Sequence, residues 1–416
     1  MYIKVKKILC MLYVFSFGFV VTKNGNSNLP WFIPYLHCCL WIMIGYLYNG
    51  KSDDIAPIKS ITRTVFLIFI RIQFIFWAFS LLAYISNINN VYFNTITRAI
   101  STTGQAVLIL LAIINVFKIF KEKTIIYSAI GLLWKNIYGI LIAGKTYGFG
   151  QLFSIVLRPF KYDGDWSVSK ILASIEFHDL TFALGFVLIF LVFILLEYDY
   201  SKKEKRSLIR LLVFVSFFIY VGYKRIQMLS LVVIVLMLLF VKGRSKKSIS
   251  FWSVLITTVT SIGSYFYVWL IDSGVLSLLL VRFGVNSRGR IEAYISMSEL
   301  FTFSPTFIGL GKESALRMKE RLWGSSVLVG HSDVLYTFMD FGFWGFGVWI
   351  VYLLYVVPKK LSSCYGSLVA KYWLFTTVYA FITYLTDNTL NYFAFQSCYI
   401  AALICFIYTG LVKNRK

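Results

Sequence analysis

The sequence predicts an all-α, polytopic membrane protein of about twelve transmembrane helices, folded as a single integral-membrane domain over residues 1–416. Of its 416 residues, 59% are hydrophobic and only 14% are charged, and the mean hydropathy is +0.75. A soluble globular domain carries about a quarter charged residues, so the composition excludes that class. Apolar runs recur along the whole chain, and lysines and arginines gather in the gaps between them.

About twelve apolar segments are long enough to cross a bilayer, because a hydrocarbon core of about 30 Å needs roughly 20 residues of helix. They lie near residues 6–22, 29–49, 64–86, 100–118, 124–144, 180–198, 207–222, 226–241, 249–271, 334–357, 369–387 and 391–411. The first has the basic start of a signal peptide, but no small-residue cleavage pattern follows it. We therefore interpret it as an uncleaved first helix.

The distribution of cations predicts the topology. Basic clusters near residues 4–7, 51–63, 118–123, 202–210, 242–247, 359–371 and 413–416 all fall on one side of the predicted bundle. That side is the cytoplasm by the positive-inside rule, with both termini inside. The net charge of +23 follows from this dispersed pattern, which does not favour nucleic-acid binding. Two long loops, 145–179 and 272–333, then lie on the outer, periplasmic side.

The polar stretch from Val281 to Gly345 is the strongest candidate for chemistry. It contains the sequence PTFIGLG (Pro305 to Gly311), the histidine His331 and seven cations, namely Arg282, Arg288, Arg290, Lys312, Arg317, Lys319 and Arg321. Guanidinium groups donate paired hydrogen bonds to phosphate, and glycines let backbone N–H groups approach an anion. A histidine exchanges a proton near neutral pH. The stretch predicts a site for a phosphate-bearing, lipid-linked substrate.

His331 comes just before the tenth predicted span. Helical spacing puts Leu335, Phe338, Gly342 and Gly345 on one face of that span, where the glycines would leave room for a substrate chain or a neighbouring helix. The structural alternative is a histidine that only tolerates the membrane interface, since polar residues are ordinary at a span boundary.

The candidate arginines also carry alternatives. Arg288 and Arg290 precede a short amphipathic helix, predicted over 291–301, which binds either a substrate phosphate or anionic headgroups at the membrane surface. Arg225 follows Tyr223 in a short outer turn, where a cation violates the positive-inside bias and so favours an anion partner. Arg158 lies in the first long loop, where it either approaches a diphosphate or simply folds the loop.

Neither a nucleotide-binding fingerprint nor a Cys/His metal spacing occurs in the sequence. We therefore expect no metal and no cofactor, and we expect the energy of any reaction to come from an already activated substrate.

In this arrangement the sequence resembles the superfamily of O-antigen polymerases and O-antigen ligases, which are integral-membrane glycosyltransferases. The resemblance rests on Ser287 to Arg290 with Tyr294, on the PTFIGLG sequence, on His331-Ser332 with Leu335, and on Gly342 and Gly345. Arg225 and Arg158 are similar to two further arginines of the family. The chain departs from the pattern at Ser332, where the family usually has asparagine, and after Arg158, where an Asn-Pro pair is missing.

The resemblance implies metal-independent transfer of a saccharide from undecaprenyl diphosphate at the periplasmic face of a Gram-negative inner membrane. Arg290 and His331 would be the catalytic residues, with His331 orienting or deprotonating the acceptor hydroxyl. The diphosphate would bind Arg158, Arg225, Arg288 and Arg290.

The polymerase is the favoured member. Its expected partners are an undecaprenyl-diphosphate-linked oligosaccharide, membrane lipid and a chain-length regulator protein, with no nucleic acid. One alternative is the ligase, which passes the chain to the lipid A core. The alternative from a different class is a flippase for lipid-linked oligosaccharides.

Overall fold

The computed structural model describes residues 2–20, 32–48, 55–88, 93–157, 177–222, 224–241, 245–284, 290–317 and 332–413. Within these ranges the chain forms helices and no β-strand. The all-α class predicted from the sequence is confirmed.

The helices follow the predicted spans closely. They are α1 (Tyr2–Val20), α2 (Ile33–Tyr48), α3 (Ile55–Ser86), α4 (Phe93–Phe120), α5 (Thr124–Tyr147), α6 (Phe149–Leu157), α7 (Phe177–Glu197), α8 (Lys202–Val221), α9 (Arg225–Phe240), α10 (Lys246–Asp272), α11 (Val275–Arg282), α12 (Arg290–Ser298), α13 (Asp333–Val351), α14 (Val357–Tyr365), α15 (Ser367–Thr386) and α16 (Phe393–Val412). A 3-10 turn, Lys121–Lys123, joins α4 to α5, and a π-helical turn, Tyr352–Val356, joins α13 to α14.

Seven helical segments within the described ranges are long and apolar enough to cross a membrane. They are Ala56–Ser86, Asn94–Tyr147, Leu180–Glu197, Lys246–Asp272, Asp333–Tyr365, Ser367–Thr386 and Phe393–Val412. The helices α2 and α9 are apolar but shorter. Each predicted span overlaps one of the helices, so the chain is an all-α, multi-pass membrane protein, while the number of helices that cross stays a prediction.

The helices group into two compact units. The first unit comprises Met1–Leu67, Gln105–Leu236 and Asn391–Lys416. In it α1 packs along α5, and a Cβ added at Gly18 would lie 2.6 Å from the carbonyl oxygen of Gly131, so glycine permits the close approach. The centre of this unit is α16, which is buried along nearly its whole length and packs on α5 and α7.

The second unit comprises Ile68–Gly104 and Met237–Leu390. Its central helix is α15, which is buried on nearly every side and packs on α10, α13 and α14. The predicted outer loop 272–333 belongs to this unit and is partly helical, because α11 and α12 fold against α10.

Candidate functional site

The tenth predicted span is interrupted at Gly342. This glycine has φ 70° and ψ −177°, which breaks α13 into two helical pieces. The expectation of one continuous face through Gly342 and Gly345 is therefore wrong. At Gly345 an added Cβ would lie 2.7 Å from the ring of Phe79 on α3, so of the two predicted occupants of this room, a substrate chain or a neighbouring helix, the neighbouring helix is confirmed.

The main chain of the PTFIGLG segment provides the hydrogen bonds that the break removes. The N–H of Leu310 donates to the carbonyl of Met339 at 2.8 Å, and the N–H of Gly311 donates to the carbonyl of Asp340 at 2.8 Å. Inside an apolar segment an unsatisfied carbonyl is costly, so these two bonds stabilise a break that would otherwise be unfavourable.

A third backbone hydrogen bond and a close glycine contact complete this connection between the PTFIGLG segment and α13, which we call the joint. The N–H of Phe343 donates to the carbonyl of Phe307 at 2.8 Å. A Cβ on Gly309 would lie only 2.5 Å from the nitrogen of Gly342, and Gly309 has φ 92°, so two separate conditions require glycine there. Gly309 thus brings backbone close to backbone, and a Cβ on Gly311 would meet the ring of Tyr84, whereas the sequence predicted that these glycines approach an anion.

Lys312 follows the segment and is enclosed by helices α3 and α4. Its ammonium Nζ donates to the hydroxyl of Thr103 at 2.8 Å and to Oε1 of Gln73 at 3.2 Å. Its backbone N–H donates to the hydroxyl of Ser80 at 3.1 Å, and its carbonyl accepts from the hydroxyl of Tyr84. These bonds attach the segment to α3 and α4 within the second unit.

Burial changes the acidity of Lys312. Only 8% of the residue is exposed, and loss of solvent lowers the pKa of its ammonium from 10.5 to about 8. The carboxylates of Glu313 and Asp340 act in the opposite direction and raise the pKa. The lysine is thus a cation whose proton is held less tightly than usual.

Glu313 and Asp340 are the two acidic residues beside Lys312. A carboxylate oxygen of Glu313 lies 3.0 Å from Nε of Arg98 on α4. The two carboxylate oxygens of Asp340 accept from the backbone N–H groups of Glu313 at 2.8 Å and of Ala315 at 3.1 Å. Asp340 therefore caps the helical turn that begins at Ser314. We call Arg98, Lys312, Glu313 and Asp340 the Lys312 cluster.

In the sequence, Lys312 is one of seven cations of the polar stretch, and no motif groups it with the other three residues of the Lys312 cluster. A signal was present, because Asp340 is a carboxylate inside an apolar run, and an ionisable residue in a span is a functional or structural site by default. Arg98 gave no comparable signal, since it lies close to the start of its span. The cluster positions the PTFIGLG segment, and its groups are engaged with one another.

The start of α13 is fixed by Ser332. Its hydroxyl accepts from the N–H of Leu335 at 3.2 Å and donates to the carbonyl of Tyr384 at 3.3 Å, and the residue is fully buried. Serine and asparagine are comparable N-cap residues. Ser332 therefore provides a cap that an asparagine at this position would also provide.

Asp333 also anchors this end of α13. Its Oδ2 accepts from the N–H of Leu390 at 2.6 Å, and its own N–H donates to the carbonyl of Asp387 at 3.2 Å. The two residues that follow His331 are thus held by main-chain partners in the last turn of α15 and just after it. His331 itself lies outside the described residues, so its catalytic role stays a prediction.

The predicted amphipathic helix near the candidate arginines is confirmed as α12. The hydroxyl of Tyr267 on α10 donates to the hydroxyl of Tyr294 on α12 at 3.0 Å, and Tyr294 is buried. Tyr294, which contributes to the family resemblance, therefore holds α12 against α10. Arg290 is the first residue of α12, and Arg288 lies outside the described residues.

The remaining predicted residues belong to the first unit. Arg225 is exposed and is the first residue of α9. Arg158 lies outside the described residues. The structure thus joins the PTFIGLG segment to α13 and fixes the elements that carry Arg290 and follow His331, while the predicted diphosphate contacts stay predictions.

No protein-family model matches the chain, and no curated protein matches it. The class that fold and composition define is an all-α, multi-pass membrane protein.

Proposed function

We propose that the chain is an O-antigen polymerase, which transfers a growing saccharide from undecaprenyl diphosphate to the next lipid-linked repeat unit. The proposal includes about twelve spans in a Gram-negative inner membrane, cytoplasmic termini and two long loops at the periplasmic face. The family resemblance of the motifs is its starting point.

The observation that carries the proposal is the joint between the PTFIGLG segment and α13. Two of the motifs on which the resemblance rests are distant in sequence, yet their main chains exchange hydrogen bonds at the break of Gly342. Such a joint fixes the second long loop on a rigid helix, and a site supported in this way holds its groups in a reproducible geometry. The segment between the two motifs contains His331, and α12 with Arg290 precedes them.

The reaction needs few groups. The acceptor hydroxyl oxygen bonds to the anomeric carbon while the bond from that carbon to the diphosphate breaks, and undecaprenyl diphosphate leaves. His331 orients the hydroxyl and takes its proton. Arg290 donates hydrogen bonds to the diphosphate as negative charge develops on it. Arg158, Arg225 and Arg288 keep their predicted role as diphosphate ligands.

Two alanine variants test the catalytic roles. Arg290→Ala and His331→Ala should abolish long chains on a lipopolysaccharide gel, in a deletion strain complemented at matched protein level. Arg282→Ala is the control, because Arg282 is an exposed cation of α11 in the same polar stretch but outside the motifs. Normal ladders from both variants, or an equal loss from the control, would contradict the assignment.

The deletion strain separates polymerase from its alternatives. Core with a single repeat unit indicates a polymerase. Core alone, with long chains accumulating on the lipid carrier, indicates the ligase. Core alone with single units trapped on the inner leaflet indicates the flippase.

A further inference from the structure

A cavity of about 630 Å³ in the first unit lies where α1 begins and α4 turns into α5. Four lysines line it, Lys6 and Lys7 of α1 with Lys121 and Lys123 of the connecting turn, against one carboxylate, that of Glu122. We call it the lysine cavity. No residue of α12, the PTFIGLG segment or α13 lines this cavity.

Three of the four lysines of the cavity, Lys6, Lys7 and Lys123, have no carboxylate partner among the described residues. Within the described part of the chain, no carboxylate lies within 4.0 Å of the ammonium groups of Lys6, Lys7 or Lys123. The positive-inside rule accounts for lysines on this side of the chain, but not for four of them around one cavity, where like charges repel one another unless an anion is bound. Lys6, Lys7 and Lys123 therefore point to an anion as the occupant.

The turn that presents the lysines has a constrained backbone. Lys121 has φ 55°, in the left-handed region that a lysine rarely adopts. Its carbonyl is held by the N–H of Thr124 and by the thiol of Cys405 at 3.5 Å. A strained residue that its surroundings hold in place is typical of a ligand-binding site.

The cavity continues onto an apolar surface. Met11 of α1 and Phe120 of α4 contribute to its lining. Ile8, Met11, Leu12 and Phe15 are exposed, and their spacing places them along one face of α1 that starts at the lysines. The site thus offers cations for a headgroup and a hydrocarbon surface for an attached chain.

We propose that the lysine cavity binds the phosphate headgroup of an anionic membrane phospholipid, whose acyl chain follows the exposed face of α1. A basic pocket among membrane helices is a recognised form of headgroup site. Free phosphate would use the lysines but not the apolar face, so the lipid is the better match to the whole surface. This inference does not rest on the proposed glycosyl transfer.

Native mass spectrometry of the purified full-length protein in neutral detergent tests the inference, with added phosphatidylglycerol or phosphatidylcholine as the probe. The native protein should retain phosphatidylglycerol in preference to phosphatidylcholine. The double variant Lys7→Gln/Lys123→Gln should bind phosphatidylglycerol about 25-fold more weakly, because each lysine near an anionic headgroup contributes roughly a fivefold gain in affinity.

The control is Lys202→Gln/Lys203→Gln, which removes the same charge from exposed lysines at the start of α8, outside the cavity. It should change the affinity less than about twofold. Equal losses from both double variants would overturn the site in favour of general surface attraction. Competition by inorganic phosphate as effective as that of the lipid would overturn the lipid as the occupant.

Discussion

The Lys312 cluster and the lysine cavity use the same side chain in opposite ways. In the second unit, Lys312 is almost completely buried and donates to Thr103 and Gln73, with carboxylates close by. In the first unit, Lys7 and Lys123 border open space without a carboxylate partner among the described residues. In a chain with a net charge of +23, the pairing of a lysine, rather than its presence, separates a structural cation from one available to a ligand.

The largest difference between the two regions should appear when the cluster loses an acid. Asp340→Ala removes the acceptor of two backbone N–H groups, those of Glu313 and Ala315, and leaves the cations near it undercompensated. We expect the free energy of unfolding to fall by about 4 kcal/mol. Thermal unfolding of the purified protein in detergent measures the change.

Asp340→Asn is the matched control, since an amide keeps one acceptor oxygen and loses the charge. It should be destabilising by less than the alanine variant. Equal losses from the two variants would show that the charge, and not the capping of the turn at Ser314, is the important property.

A second contrast concerns pH. The pKa of Lys312 is lowered to about 8 in the folded protein and returns to 10.5 on unfolding, so between these values the unfolded state binds more protons. The penalty for burying the charged lysine is fully present below pH 8, and stability should rise by up to ~3 kcal/mol as the pH increases from 8 to 10.5.

Lys312→Met provides the reference for this measurement. Its unfolding curve should lack the part of the rise that Lys312 contributes, so the difference between native and variant stability should change across the window. Parallel curves for the two proteins would rule out the lowered pKa.

A smaller effect is expected at the edge of the cluster. The ion pair of Arg98 and Glu313 spans 3.0 Å, but 33% of the arginine side chain is exposed. Solvent screens this pair, so Arg98→Gln should cost only about 1 kcal/mol. Thermal unfolding at low and high salt tests this estimate. High salt should remove part of the stability that the ion pair gives the native protein, and it should not have this effect on the variant.

The smallest effect should come from the lysine cavity. In neutral detergent without anionic lipid, Lys7→Gln/Lys123→Gln should change the free energy of unfolding by less than about 0.5 kcal/mol, since neither lysine forms an ion pair with a described residue. A loss as large as that of the Asp340 variant, in the same thermal assay, would remove the distinction between the two regions.

Composition and hydropathy predicted the class and the positions of the helices, because burial in lipid requires long apolar runs whatever the tertiary fold. The same reasoning failed at Gly342. Its spacing fits a continuous helix, and the break depends on hydrogen bonds from a segment distant in sequence. Periodicity contains no information about such a partner.

For the candidate site, the sequence likewise indicated elements but not the contacts that their residues make. The motif residues drew attention to elements that lie in one unit, namely α12, the PTFIGLG segment and the start of α13. Their roles were less accessible, because glycines and tyrosines that suggest a ligand in sequence also serve packing. Tyr294 and Gly309 both contact the protein itself.

The joint at Gly342 has a consequence for how the protein is made. Leu310 and Gly311, whose N–H groups donate to the carbonyls of Met339 and Asp340, leave the ribosome before α13 does. Their hydrogen bonds to α13 therefore form only after that helix has emerged. Before this contact forms, α13 is a continuous helix in which the carbonyls of Met339 and Asp340 are bonded within the helix. Docking of the preceding loop is therefore the step of biogenesis that breaks the helix at Gly342.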